Sequence, residues 1–354
     1  MIHIDGTHGE GGGQIVRTAL ALSTLTGQPF RVSGIRAGRS KPGLKAQHLT
    51  AVHALEKICD ARVEGAAIGA TEMTYRPGKT KPGEYLIDIG TAGSIALLLQ
   101  ALLLPLAFGR HPSRLTITGG TCGKWQAPVE YLQLTLLPYL QRISGIEIER
   151  LQLGYFPKGG GKVRVDIQPF LEDWQQAGGQ TVIDLSKKGK LLHIEGNSHA
   201  SELLQKAGVA ERQAEAARHL LADLSVPLRI SKDYQSTYSS GSGITLSAVF
   251  QHASSDSIYA LGADALGERG IPAEKVGRQA AQRLLQAIHS EAPVDEHLTD
   301  QLIPLLALLP GSRMRIPHPS NHLLSNMYVV EQFLPVRFKM KGSILRVEEL
   351  SDAG

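Results

Sequence analysis

Two histidines stand four residues apart in "HPSNHLLSNMYVVEQFLPVRF", His318 to Phe338, just ahead of an apolar, helix-like run. That spacing admits three chemistries: a metal-ligand pair on one helix face, a nucleophile with a helper, or two polar residues at a helix start. A metal pair lacks an HExxH context and a nearby third ligand. Pro319 suits a first helical turn, which places His318 just before the helix and His322 in its opening turn. A helix N-terminus opposes protonation, and neutral imidazole is a nucleophile where imidazolium is not. His322 is therefore the better nucleophile candidate and His318 a cap or helper. These residues alone leave the choice open.

Other segments could handle an anion. In "GTHGEGGGQIVR", Gly6 to Arg17, the glycines precede a helix and free backbone N–H groups to face a phosphate. The run is neither a Walker A loop nor a dinucleotide fingerprint. Glu10 within it would repel phosphate unless a cation lay between them, so Glu10 with Arg17 suggests a metal–phosphate site over a plain tight turn. "IRAGRSKPGLKAQH" gathers Arg36, Arg39, Lys41 and Lys45 at a helix start, followed by Gln47 and His48. A solvated basic loop is the bland reading; arginine's bidentate fit to phosphate is the sharper one. Gln100 interrupts an apolar helix and needs partners there. In "EHLTDQL", Asp300 and Gln301 open another helix, where capping explains Asp300 as well as ligand binding does.

These residues require scaffolding, and the chain supplies it in repeats. Strand, helix, strand, helix, strand, strand recurs three times. The class is α+β: three βαβαββ units form a large domain over residues 1–185 and 289–354. A segment of different character, 186–288, reads as a smaller α+β domain inserted between the second and third units and expected to carry its own core. The loops after each second strand are "RAGRSKPG", "GTCGKWQAP" and "HPSN". Packing about a pseudo-threefold axis would make them equivalent and bring them to one site.

Composition narrows the class. Hydrophobic residues make up 42% of 354 and charged residues 20%, ample for a globular core. Cys59 and Cys122, the two cysteines, cannot build a disulfide framework or a cysteine zinc site. The run "SIALLLQALLLPLAFG" is broken by Gln100 and Pro105 and falls short of the ~20 residues of a membrane span. The start "MIHIDGTHGEGGG" lacks the apolar region of a signal peptide. A cytoplasmic protein is expected.

Taken together, "DGTHGEGGGQIVRTALALS", "IRAGRSKPGLKAQHLTAV", "GTAGSIALLLQALLLP", "YFPKGGG" and "HPSNHLLSNMYVVEQFLPVRF" closely resemble the RNA 3′-terminal phosphate cyclase family. The match runs in order over almost the whole chain and is weakest in the inserted segment. The resemblance implies ATP-dependent conversion of an RNA 3′-phosphate end to a 2′,3′-cyclic phosphate, through a histidine–AMP intermediate and an adenylylated RNA end. By that resemblance His322 is the nucleophile and Glu10 helps hold a divalent metal, Mg or Mn. Arg17, Arg36, Arg39, Gln47 and His48 line the phosphate and RNA-end side. Gln100 with His297, Leu298, Thr299, Asp300 and Gln301 form the ATP pocket. Two features depart from the family: His297 stands where an aromatic residue is usual, and "TCGKWQAPVEY" keeps Pro128 and Glu130 but adds Lys124 and Trp125. A non-catalytic cyclase-like factor that binds RNA in ribosome assembly is the alternative, but that branch lacks the nucleophile. An enolpyruvyl transferase shares only the repeated-unit architecture.

Overall fold

The computed structural model describes residues 1–9, 12–124, 126–169, 182–255 and 257–350. Glu10 and Trp125 therefore lie outside the described residues. In chain order the first unit comprises β1 (Ile2–Asp5), α1 (Gly13–Thr26), β2 (Phe30–Ser33), α2 (Ala46–Cys59), β3 (Arg62–Glu64) and β4 (Met73–Arg76). Its sheet has the order β1-β2-β4-β3, with β1 and β2 parallel. The second unit comprises β5 (Gly83–Asp88), α3 (Ile95–Ala107), β6 (Ser113–Gly119), a broken helix, β7 (Ser144–Gln152) and β8 (Gly161–Pro169), in the sheet order β5-β6-β8-β7. The broken helix runs as α4 (Val129–Tyr131), a π-helical stretch Leu132–Leu136, and α5 (Leu137–Leu140).

Next come β9 (Asp184–Leu185), β10 (Lys190–Ser201), α6 (Val209–Leu221), β11 (Leu228–Gln235), β12 (Ser242–Gln251), β13 (Ile258–Leu266) and α7 (Ala273–His289). The chain closes with α8 (Glu296–Ala307), β14 (Arg313–Arg315), α9 (Asn321–Phe333), β15 (Val336–Lys341) and β16 (Ile344–Glu349). Strands β10 to β13 form their own sheet, ordered β11-β10-β12-β13, while β9 joins the last sheet as β9-β14-β16-β15. Three of the four sheets thus share one strand order, and the α+β class expected from the sequence is what the structure shows.

Two expectations change. Strand β9 pairs in parallel with β14, as β1 does with β2, yet it precedes the segment 190–289. That segment therefore interrupts the third unit after its first strand; it does not fall between units. Two residues are too few for an alternating pattern to reveal. Nor does the segment carry a separate core, since Ile194, Leu246 and Leu261 belong to the same continuous apolar cluster as Leu20, Leu99 and Val330. Among the described residues no helix is long and apolar enough to cross a membrane.

Prolines inside helices decide some of the cross-links. Pro304 has no N–H to give the carbonyl of Asp300 one turn earlier, and Asn326 Nδ2 of α9 donates to that carbonyl instead, at 2.8 Å. Pro138 similarly leaves the Leu134 carbonyl open, and Ser247 Oγ of β12 donates to it at 3.2 Å. The widened turns of Leu132–Leu136 fall at the same place.

Asp295 ties three parts together. Its Oδ1 accepts from the Tyr131 hydroxyl at 2.6 Å and from the Leu298 N–H at 3.0 Å, which caps α8, and its Oδ2 accepts from the Gly262 N–H at 2.8 Å. Asp295→Ala would leave all three buried donors unpaired and should cost about 4 kcal/mol. Urea unfolding measures it; a loss below about 1 kcal/mol would mean that water readily replaces the carboxylate.

Candidate active site

Helix α1 begins at Gly13 without a capping side chain and without an acidic residue in its first turn, so its first N–H groups face outward. The glycines here are there for close approach. A Cβ on Gly12 would sit 3.7 Å from Arg39 Nη2 and 3.9 Å from His322 Cε1. A Cβ on Gly13 would sit 2.1 Å from His48 Nε2 and 3.2 Å from Arg17 Nη1. The positive end of α1, two arginines and two histidines therefore meet around two glycines. The preceding loop is docked on α9: His8 stacks on Tyr328 at 4.1 Å, and Gly9 takes φ 63° against Ser325.

His322 is exposed in the first turn of α9. The N-cap is Ser320, whose Oγ accepts from the Leu323 N–H at 2.9 Å and donates to Asp300 Oδ1 at 2.8 Å. Pro319 thus lies before the cap, two positions earlier than the first helical position that proline favours. His318 instead pairs with Glu296 at the start of α8, Nε2 to Oε1 at 3.4 Å. No group of three or more His, Cys, Asp or Glu residues able to hold a metal occurs among the described residues.

His48 is buried. Its Nδ1 accepts from the Lys45 N–H at 3.0 Å, so the neutral ring carries its hydrogen on Nε2, which is buried with no hydrogen-bond partner among the described residues. Burial first, then Arg17, Arg36 and Lys45, push its pKa down to about 3. The neutral ring is an N–H donor aimed at the N-terminus of α1 and lacking an acceptor there. Because the folded pKa is depressed, the associated stability is complete above the ordinary histidine value of 6.5 and is lost as pH falls from there toward 3. His48→Phe should flatten the acid side of a urea-midpoint profile between pH 7 and 4; an unchanged profile would refute this account.

Arg17 is buried and its hydrogen bonds among the described residues go to two neutral amides, Nε to Gln100 Oε1 at 2.9 Å and Nη2 to Gln14 Oε1 at 2.7 Å. Burial lowers its pKa to about 10. Arg36 is turned inward at φ 54°, with Nη1 donating to the carbonyls of Lys41 at 2.8 Å and Gly43 at 3.1 Å. It braces the loop that presents Arg39. Gln47 is half-buried, its Cβ 3.7 Å from where a Cβ on Gly93 would stand.

On the α8 side, Gln100, Asp300 and Gln301 border a small cavity of about 40 Å³ together with Gln14, Thr18 and Pro304. Gln301 Oε1 is buried there without a hydrogen-bond partner among the described residues. Burial, opposed by the Ser320 hydrogen bond, raises the Asp300 pKa to about 6. Leu298 lies in the core, and Thr299 Oγ1 donates to the Asp295 carbonyl at 2.8 Å, so neither side chain is directed to a ligand. His297 is exposed, edge-on to Tyr131 at 6.0 Å, on the rim of a cleft of about 600 Å³ shared with Asp264, Arg283 and His318. Lys124 pairs with Glu268 at 2.9 Å. Glu130 is buried against Arg150, which also reaches Asp233 at 2.9 Å, so its carboxylate is engaged in fastening β11.

Sequence reasoning missed the polar bridge behind the site. Asn326 Oδ1 accepts from Thr18 Oγ1 at 2.6 Å and Gln14 Nε2 at 3.1 Å, which links α9 to α1 and, through Gln14, to Arg17. The available signal was Pro304, four residues after Asp300, with a polar residue in the apolar face of the neighbouring helix.

The fold and site define a mixed α/β protein in which two histidines, two arginines and a helix N-terminus meet around Gly12 and Gly13. The family model for RNA 3′-terminal phosphate cyclase matches residues 8–340, and the chain belongs to that family. It is 44% identical to the RNA 3′-terminal phosphate cyclase of Pyrococcus furiosus, with 97% of this chain and 96% of that protein covered. It is 43% identical to the protein of the same name from Pyrobaculum neutrophilum, covering 96% and 95%. With that from Caldivirga maquilingensis the identity is 45%, covering 94% and 93%.

Proposed function

We propose that this chain uses ATP to convert an RNA 3′-terminal phosphate into a 2′,3′-cyclic phosphate, with His322 carrying AMP. The observation that supports this most is the meeting of His322 Cε1 and Arg39 Nη2 at Gly12, on the uncapped start of α1. An imidazole nitrogen of His322 attacks the α-phosphorus of ATP, a P–N bond forms, the α–β P–O bond breaks, and pyrophosphate leaves. His322 stands exposed in the first turn of α9, and attack uses its neutral imidazole.

An oxygen of the RNA 3′-phosphate then attacks the same phosphorus and displaces histidine, which activates a poor electrophile with AMP as its leaving group. The vicinal 2′-hydroxyl attacks the terminal phosphorus, loses its proton and releases AMP. That hydroxyl is already held beside its target, which gives a large effective molarity. A DNA end lacks it and would be activated without closing. Arg17, Arg39 and the His48 Nε2–H supply donors to phosphate oxygens. Arg36 acts by bracing its loop, and Gln47 borders the RNA side. On the other side of α9, Gln100, Asp300 and Gln301 with the rim residue His297 hold the nucleotide.

A divalent cation, Mg or Mn, partly held by Glu10, would neutralise charge on the leaving pyrophosphate. Residues 186–288 are proposed to brace the second unit from within the third, through contacts such as Arg150 with Asp233 and Ser247 with the Leu134 carbonyl, and the cytoplasm is proposed as the compartment.

Incubation with α-labelled ATP and Mg tests the reading. Label should appear on the chain and move to a 3′-phosphorylated RNA, leaving a cyclic end. Protein that takes no label, or RNA that closes without ATP, would refute it.

A further inference from the structure

Two large aromatic side chains stand out from the surface away from any core. Phe156, in "YFPKGGG", is 78% exposed and Tyr238, in "YQSTYSSGSG", is 73% exposed. They belong to different parts of the chain, but the two loops are locked together. Gly160, at φ 77°, lies under the Tyr238 ring, where a Cβ would come within 2.3 Å of Cδ2. The Lys158 N–H donates to Ser239 Oγ at 3.1 Å, and the Leu153 N–H donates to Gln235 Oε1 at 2.7 Å. This is a platform of two interlocked loops carrying two exposed aromatic side chains, with exposed Lys158 in the first loop.

Its position is defined by a chain of close approaches. A Cβ on Gly159 would meet the Thr91 carbonyl oxygen at 2.6 Å, and Gly93, two residues on, abuts Gln47. Gln47 adjoins His48, which abuts Gly13 at the start of α1. The platform is therefore linked, through Thr91, Gly93 and Gln47, to the phosphate side of the site. Lys41 and Lys45, in the basic loop and helix start that lead to Gln47 and His48, are exposed.

We propose that Phe156 and Tyr238 stack unpaired bases of the RNA strand just upstream of its 3′-phosphate, with Lys158 beside the backbone. The proposal rests on the cyclase reading for the identity of the ligand. Single-stranded nucleic acid is held by aromatic faces on which bases stack, combined with basic groups that follow the backbone. Bases within a duplex are already stacked and would not be offered. The platform thus makes an unpaired 3′ end the preferred substrate.

The test uses the full-length chain and a short fluorescent oligoribonucleotide ending in 3′-phosphate. Phe156→Ala combined with Tyr238→Ala should weaken its binding about tenfold or more, the effect of at least one lost stack. Binding of a nucleoside 3′,5′-bisphosphate, which reaches only the phosphate side, should not change, and neither should labelling of the chain by α-labelled ATP. Phe156→Trp, which keeps an aromatic face, should retain most of the wild-type affinity. An oligonucleotide with abasic sites next to its terminal residue should bind wild type and variant alike. Unchanged oligonucleotide binding would overturn the proposal, as would equal weakening for the bisphosphate or continued sensitivity with the abasic strand. If the aromatic dependence is found but the chain takes no label from ATP, the stacking surface stands and the adenylylation reading falls; label without aromatic dependence gives the reverse.

Discussion

His322→Ala should take no label from α-labelled ATP and close no RNA ends, a loss of at least about a thousandfold that added RNA does not relieve. Neither His48 nor His318 is placed to substitute. The His48 ring is buried, with its Nδ1 taken by the Lys45 N–H and its Nε2–H directed at Gly13. His318 faces Glu296 at 3.4 Å, on the start of a different helix. His318→Ala should accordingly keep at least a tenth of wild-type labelling. Equal and complete loss in both variants would restore the reading of the two as a paired-ligand site. Ser320→Ala separates orientation from chemistry, because it removes both the N-cap of α9 and the bridge to Asp300 while leaving the imidazole in place. It should slow labelling by about tenfold without abolishing it.

Much of this arrangement was legible in the sequence because local rules and tertiary demands agreed. The apolar runs of α3 and α9, the glycines ahead of α1 and the basic loop ahead of α2 each carry their own signal. What escaped depends on partners far along the chain. Strand β9 has two residues and is defined only by its pairing with β14. Asp295 looks like an ordinary N-cap, and nothing local says that Tyr131 and Gly262 also donate to it. Arg36 and Arg39 read alike, three residues apart, yet the left-handed backbone at Arg36 turns its guanidinium onto its own loop. Asn326 is one polar residue in "NHLLSNMYVV"; its importance comes from a proline in the neighbouring helix and two side chains of α1.

Arg17→Met should separate the stability of the fold from the function of the site. The guanidinium is charged and buried, and its hydrogen bonds among the described residues go to neutral glutamines. Lowering its pKa from 12.5 to about 10 corresponds to about 3 kcal/mol of unfavourable burial. Methionine removes that cost and fills similar space, but strands Gln14 Oε1 and Gln100 Oε1 at about 1 kcal/mol or more each. The two effects nearly cancel, so the unfolding midpoint should move by no more than about 1 kcal/mol in either direction. Function should not cancel. A preorganised cation facing a phosphate in a desolvated site is worth about a hundredfold to a thousandfold in rate, and labelling of the chain should fall by that factor. The stabilisation that ATP or pyrophosphate gives the wild type in a melting experiment should shrink in parallel, since ligand binding is what offsets the buried charge. If Arg17→Met instead unfolds the protein by 3 kcal/mol or more while the remaining folded fraction labels normally, Arg17 is a strut between α1 and α3 and the anion site lies elsewhere.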